Sequence, residues 1–484
     1  MRHPLKYFPL LWTNWITIIG TIVTTVTGCF LVLAMTADLL SPLEPYLAAA
    51  IFMVGPMLFV SGLVIIPIGV AIEHRLARHR RTAEPHPLAI SIRAAFEDRK
   101  IRSRATLIGF ATLANIIIVA GSGVKIVSFM DTPSFCGQVC HKVMNPEFAA
   151  YERSAHSRVA CVRCHIGPGA SWAVRAKIDG LRQVWAVATN TYSRPIPSPV
   201  HTLRPARDTC EQCHWPAKFT GSRVALRTHY QDDEKNSPAV NALVLHIGGE
   251  DPRTHVYKGI HWHVSPDVEI RYEALDDKRE HIGKVTRLDK GKVTAVFEPA
   301  GAGGPVKEER TLDCVDCHNR PSHAMDRSAA AALDRAFGEG LLDPRVPFLH
   351  AVAKKLLTRS DVDRGKAEDV FYEGLGEAYS SEHPQVKPSQ GALRNAAKGL
   401  AGLYRANVFP DMGVKWGTYV NHLGHGGDEK DRRGCFRCHN EEHKTKDGKA
   451  ISQDCGLCHD LLAMDESPDN LTEPLKGLMP QAQR

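Results

Sequence analysis

Twelve of the thirteen cysteines stand in six units in which a histidine directly follows the second cysteine. Five of these units are Cys-x-x-Cys-His: Cys161, Cys164 and His165; Cys210, Cys213 and His214; Cys314, Cys317 and His318; Cys435, Cys438 and His439; Cys455, Cys458 and His459. The remaining one, first in the chain, is longer by one residue: Cys136-Gly-Gln-Val-Cys140-His141. This spacing is the attachment pattern of c-type haem. Two thiols close thioether bonds to one porphyrin, and the adjacent imidazole reaches its iron. Zinc sites and disulfide frameworks also pair cysteines, but neither demands a histidine after each pair. The pattern therefore predicts six covalent haem c groups, attached outside the cytoplasm. Cys29 falls outside the pattern. It lies in an apolar run and reads as a small buried hydrophobe.

Each iron has a second axial position. A second histidine gives low potentials, and a methionine raises them. Of the 24 histidines, His3, His74, His79 and His86 lie near the N-terminus or in a basic loop, and six belong to the motifs, which leaves fourteen. That supply suffices for histidine on both sides of every iron. Context favours His156 before the second unit, His323 after the fourth, His422 and His425 before the fifth, and His443 between the last two. His261 and His263, in Gly259-Ile-His-Trp-His, would share one face of a strand by the period of two. His350 and His383 read as structural.

These residues need elements to hold them. Three apolar stretches, about 11–35, 46–72 and 105–130, are each long enough to cross a bilayer, which takes about 20 residues. The first reads as an uncleaved anchor rather than a signal peptide. Residues 1–130 thus form a three-helix membrane anchor. Loop 73–104 carries a run of arginines, whereas the segment between the first two stretches has no Lys or Arg. The positive-inside rule places that loop and the N-terminus in the cytoplasm, and everything after residue 130 outside. Hydropathy and haem chemistry agree on the side.

Residues 131–220 hold three attachment units. Residues 221–312 have no cysteine and read as a β-rich insertion, with a hairpin expected over Lys284–Phe297. Residues 313–484 hold the other three units, with helices over about 327–405 broken near Pro344, Pro347 and Pro384. The expected architecture is a membrane-anchored multihaem cytochrome c. It has three transmembrane helices and a mostly α or irregular, haem-packed exported region with a small β insertion. At 7% the aromatic content is modest for this length, and porphyrins would supply the missing apolar volume. The net charge of +7 is mild and largely a topology signal, so no nucleic-acid partner is expected.

The stretch Phe135-Cys-Gly-Gln-Val-Cys-His-Lys-Val-Met-Asn-Pro-Glu, with Ser154-Ala-His-Ser and Cys161-Val-Arg-Cys-His-Ile-Gly-Pro-Gly169, resembles the NapC/NirT family of membrane-anchored, quinol-oxidising cytochromes. The rest is similar to a longer subgroup with three membrane helices and extra C-terminal haems, some of whose members serve respiration on extracellular metal oxides. The resemblance implies that the haem nearest the membrane faces quinol and takes either His141 or Met144 as axial ligand. It implies a lysine and an acid at the quinol site. Lys177 matches the lysine, but Gln183 stands where the acid is expected, and Asp179 is the nearest carboxylate. It implies a bacterial inner-membrane location with a periplasmic haem region, and as partners the lipid bilayer, the quinol pool and a periplasmic electron-accepting cytochrome or reductase. Two other classes compete with quinol oxidation: a terminal reductase of a small oxyanion at an open iron, and a redox sensor. No Cys-x-x-Cys-Lys unit supports the first, and no output domain supports the second.

Overall fold

The computed structural model describes residues 14–41, 43–80, 99–200, 203–216, 219–251, 253–301, 304–426 and 433–479. The chain divides into two compact units, Met1–His141 and Lys142–Arg484.

The first unit is built on α1 (Trp15–Leu40), α2 (Gly55–Arg80) and α3 (Arg99–Met130). A short helix, Pro45–Ala49, and a π-helical stretch, Ala50–Val54, lead into α2. Three spans are long and apolar enough to cross a membrane: Trp15–Leu40, Leu47–Ile72 and Phe110–Met130. Residues 81–98 of the basic loop lie outside the described residues. Lipid gives helices no hydrophobic reason to associate, so close backbone packing through small residues takes its place. Gly20 and Gly62 provide it between α1 and α2. A Cβ on Gly62 would meet the Thr24 nitrogen at 2.8 Å. Asn14 caps α1 by accepting from the Ile16 N–H (2.9 Å) and donates to the Gly69 carbonyl of α2 (2.8 Å). Leu31, Phe52 and Phe59 fill the interior. Cys29 is exposed on the helix surface rather than buried, because the interior of the unit is already filled by larger side chains.

The second unit opens with α4 (His141–Glu152) and α5 (Ala170–Ala188). Its β region has three sheets. β1 (Arg223–Tyr230) and β2 (Pro238–Leu245) pair antiparallel, and β2 also pairs with β9 (His459–Glu466). β3 (Gly249–Glu250) and β4 (Tyr257–Lys258) make a short ribbon. β5 (Val268–Ala274), β6 (Ile282–Asp289), β7 (Lys292–Phe297) and β8 (Glu308–Thr311) form a sheet in the order β7-β6-β5-β8. The β6–β7 hairpin falls within the segment expected, turning at Lys290-Gly291. β9 was not expected. It begins at His459 of the last attachment unit and ties that unit back onto the insertion.

The helical region consists of α6 (Ala329–Gly338), α7 (Leu349–Leu357), α8 (Ala367–Glu382) and α9 (Gln390–Asn407). Ser328 and Ser389 cap α6 and α9, each accepting from a backbone N–H three residues on. The prolines fall between helices, as expected. Leu333, Phe337, Leu349, Leu357, Phe371, Leu375, Leu400 and Tyr404 make its core. Each such side chain contributes about 1.5–3 kcal/mol on full burial, so this core stabilises the helical region.

Candidate functional site

The attachment units fold as single helical turns, which places two thiols and an imidazole on one short arc. Cys161–His165 and Cys314–Cys317 are α-helical, and Gly434–Arg437 and Cys455–Leu457 are 3₁₀. The His214, His318 and His439 N–H groups donate to the first cysteine of their own unit at 2.8, 2.8 and 3.0 Å. The first unit, with its extra residue, is a π-helical stretch, Phe135–Val139. A π turn closes over one residue more than an α turn, so it absorbs the longer spacing. None of the thirteen cysteines is in a disulfide. Among the described residues no cluster of three or more His, Cys, Asp or Glu side chains forms a zinc-type cage.

Five motif imidazoles each face one imidazole from elsewhere in the chain. Ring centroids are 6.1 Å apart for His165 and His323, 6.0 Å for His214 and His156, and 6.5 Å for His318 and His261. They are 5.9 Å apart for His439 and His263, and 6.2 Å for His459 and His425. Rings in direct stacking lie closer: Phe348 and His383 at 4.0 Å, and His425 and Phe436 at 4.3 Å. Two metal–imidazole bonds of about 2.0 Å on opposite sides of one ion, plus the half-depth of each ring, require a spacing of about 6 Å. The donor set therefore fits an iron held between two histidines at five places, with two thiols beside each.

The orientation of the second imidazoles agrees. All five offer Nδ1 to a backbone carbonyl: His156 to Pro321 (3.3 Å), His261 to Ile247 (3.0 Å), His263 to Ile260 (2.8 Å), His323 to Glu147 (3.0 Å) and His425 to Gly426 (2.6 Å). A carbonyl only accepts, so Nδ1 carries the proton and Nε2 keeps its lone pair for a metal. Burial pushes the His165, His263 and His318 imidazoles below the ordinary histidine value, which favours the neutral, ligating form.

Two expected ligands are placed otherwise. His443 is buried, with Nε2 3.0 Å from the Gly283 carbonyl and Nδ1 3.1 Å from Asn440 Oδ1, so both ring nitrogens are engaged in the fold. His422 is buried and faces no motif imidazole among the described ring contacts. Burial and the Arg437 guanidinium bring it down to about 4. His261 and His263 do not share a strand face. They sit in a 3₁₀ turn, Ile260–Val264, where residues two apart point about 120° from one another. Each therefore meets a different motif.

The five pairs run in chain order. The Cys164 thiol lies within electrostatic reach of Cys210 and Cys213, Cys210 is hydrogen-bonded to Cys314, Cys317 neighbours Cys435 and Cys438, and Cys458 neighbours Cys435. The fourth and fifth units are also joined directly. Arg437, between the cysteines of the fifth, donates to the Asp316 carbonyl at 2.5 Å, and Asp316 lies between the cysteines of the fourth. The Asp316 carboxylate is buried and accepts from the Tyr272 hydroxyl (2.6 Å) and Arg310 Nε (3.1 Å). The Asp316, Tyr272 and Arg310 cluster carried no motif signal; the 260–264 turn was marked only by its two histidines.

His141 begins α4, and Met144 lies one turn further along it, half-buried. Lys177 and Asp179 are half-buried on α5 and Gln183 is exposed. Residues two apart on a helix do not face each other, so Asp179 does not stand beside Lys177.

Comparison with known proteins bears on what these clamps hold. Residues 98–196 match the model of the NapC/NirT cytochrome c family, N-terminal region. The chain is 36% identical over 472 residues to the cytochrome c-type protein ImcH of Geobacter sulfurreducens, covering 96% of this chain and 90% of that protein. It is 28% identical over 139 residues to the cytochrome c-type protein NrfH of Wolinella succinogenes, covering 28% of this chain and 76% of that one. No solved structure matches the chain. With three membrane-length helices at one end and paired imidazoles beside thiols at the other, the chain belongs to the NapC/NirT cytochrome c family and is a membrane-anchored multihaem c-type cytochrome of electron transfer.

Proposed function

We propose that this cytochrome oxidises membrane quinol and passes the electrons singly through six covalent haems to an acceptor on the far side of the membrane, either a periplasmic cytochrome or reductase or a route to the cell exterior. The observation that carries the reading is the series of five imidazole pairs, ordered along the second unit. Twelve thiols and six motif histidines would hold the porphyrins. His323, His156, His261, His263 and His425 would complete the second to sixth, and His141 or Met144 serves the first. When bound, the haems supply the one-electron chemistry, while the protein supplies spacing, ligands and burial. Histidine on both sides favours low potentials, suited to electrons arriving from quinol. A reductase of a small oxyanion needs an open iron position, and the paired imidazoles would occupy both positions at five sites, which favours electron transfer over that reading.

The arginine-rich loop of the sequence supports an N-terminus in the cytoplasm and a haem-bearing unit in the periplasm of a bacterial inner membrane. The bilayer is a partner beyond the three spans. α5 turns Val174, Ile178, Leu181 and Trp185 outward on one stripe, the pattern of a helix lying against lipid. Lys177 on that helix is the cation the family resemblance assigns to quinol; Asp179 and Gln183, the other residues the resemblance points to, lie on the same helix but not beside it.

Membrane vesicles containing the full chain test the reading. A menaquinol analogue should reduce the haem absorbance as completely as dithionite does. Haems that dithionite reduces and quinol leaves oxidised would contradict it.

A further inference from the structure

The five second imidazoles differ in what stands behind them. His156, His261, His263 and His425 each set Nδ1 against a backbone carbonyl. His323 has the Glu147 carbonyl at 3.0 Å and, in addition, the Glu147 carboxylate, whose Oε2 is 3.4 Å from the same ring nitrogen. Among the described residues, His323 is the only imidazole of the five pairs with a carboxylate oxygen within 4.0 Å. The charge of Glu147 also reaches His165, the imidazole across the same gap.

Arg320 holds the carboxylate in that place. Its Nη2 donates to Glu147 Oε2 at 2.8 Å, its Nε to the His323 carbonyl at 2.7 Å and its Nη1 to Ser198 Oγ at 3.3 Å. The Tyr419 ring covers the guanidinium at 4.1 Å. The Arg320 side chain is 5% exposed and that of Glu147 14%, so water screens the pair poorly. The pair is neutral as a whole, but it is oriented. Its carboxylate stands beside the His323 ring, whereas its guanidinium meets that residue at the backbone. The ring therefore faces the negative end. An imidazole whose second N–H points at such a partner is a more basic metal ligand. Oxidation of a haem adds one positive charge at the iron, and a poorly screened carboxylate nearby favours that state.

We propose that Glu147, oriented by Arg320, is a positioning residue that lowers the reduction potential of the haem held between His165 and His323, below the value that two carbonyl-backed imidazoles would set. The second haem then gives up its electron to the third more readily. The inference rests on the ligand pair proposed above and not on quinol as the source of electrons.

The test uses the full haem-loaded chain in lipid nanodiscs, with three readouts: haem content, a spectroelectrochemical titration, and the low-spin ferric signal in electron paramagnetic resonance. Glu147→Gln keeps the size and the hydrogen-bonding atoms of the side chain and removes its charge. It should move one component of the titration upward, leave the others in place and keep the low-spin signal. His323→Met identifies that component, because exchanging the imidazole for a thioether raises the same haem. Glu147→Gln also strands the Arg320 cation in a buried site. The double variant Glu147→Gln with Arg320→Gln removes both charges and should raise the same component by less.

An unchanged or lowered potential in Glu147→Gln at full haem content overturns the proposal. So does new high-spin iron in that variant, which would make Glu147 a mechanical support for His323 and nothing more. If Glu147→Gln loses a haem, the double variant decides. An upward shift of the component marked by His323→Met then upholds the proposal, and no shift or a lost haem overturns it. An unchanged titration in His323→Met would instead remove the ligand pair itself, and this proposal with it.

Discussion

The imidazoles of His261 and His318 lie parallel, 4° between ring planes and 6.5 Å between centroids. One comes from the β insertion and the other from an attachment motif. Two residues on, His263 faces His439 of the next motif at 5.9 Å. A single turn therefore serves two successive sites.

That turn depends on Gly259. Its φ of 66° and ψ of −162° fall in a region open essentially to glycine alone, and a Cβ would meet the His246 carbonyl oxygen at 2.4 Å. Gly259→Ala should disturb both ligands at once. Spin-counted electron paramagnetic resonance of the oxidised protein should then show two equivalents of new high-spin iron, against one for His261→Ala or His263→Ala alone. One equivalent or none in Gly259→Ala would contradict the shared turn.

The sixth motif offers a test of ligand identity through potential. His425→Met exchanges the imidazole opposite His459 for a thioether. The potential of one haem should rise by a sizeable part of the ~0.8 V range that axial ligands span. A redox titration reads this directly. An unchanged titration would remove His425 from that iron.

Asp316 links the fourth and fifth motifs from a nearly closed site, its side chain 1% exposed. Asp316→Ala leaves Arg310 without its buried partner and strips the Tyr272 hydroxyl of its acceptor. Breaking a buried pair from one side costs about 3–5 kcal/mol. Denaturant unfolding followed by tyrosine and haem absorbance should show a loss of that order, and Asp316→Asn a smaller one.

His350 gives the helical region a pH dependence. Burial pulls its imidazole down, but hydrogen bonds and charge from Asp334 and Asp232 outweigh this, and the net shift is upward. Nδ1 is 2.7 Å from Asp232 Oδ1 and Nε2 is 3.4 Å from Asp334 Oδ1, while Lys354 also pairs with Asp232. A raised folded value means the protonated form stabilises the fold. That contribution is full below the unfolded value of about 6.5 and is lost as pH climbs through the folded one. Unfolding midpoints should fall across that window in the wild type, and fall less in His350→Gln.

The twelve thiols, the motif histidines and the three spans were legible because each rests on local spacing or on a run of apolar residues. The helical region and the 284–297 hairpin were legible for the same reason. The partner of each motif histidine was not. His323 follows the fourth motif yet faces His165 of the second, and that pairing depends on Arg320 bonding Glu147 and on His323 bonding the Glu147 carbonyl. His443 looked like a ligand by its position and is spent on the Gly283 carbonyl instead. The strand expected at His261 became a 3₁₀ turn because the β3–β4 ribbon closes just before it, with the Ile260 N–H bonded to the His246 carbonyl.

The most direct test of the whole account is an electron cryomicroscopy map of the full chain in lipid nanodiscs, with iron positions located by their density. The account predicts one iron on the line joining each of the five imidazole pairs, and irons that follow one another in the order of their motifs. A pair with no iron between its rings, or irons whose spatial order departs from the order of the motifs, would contradict it.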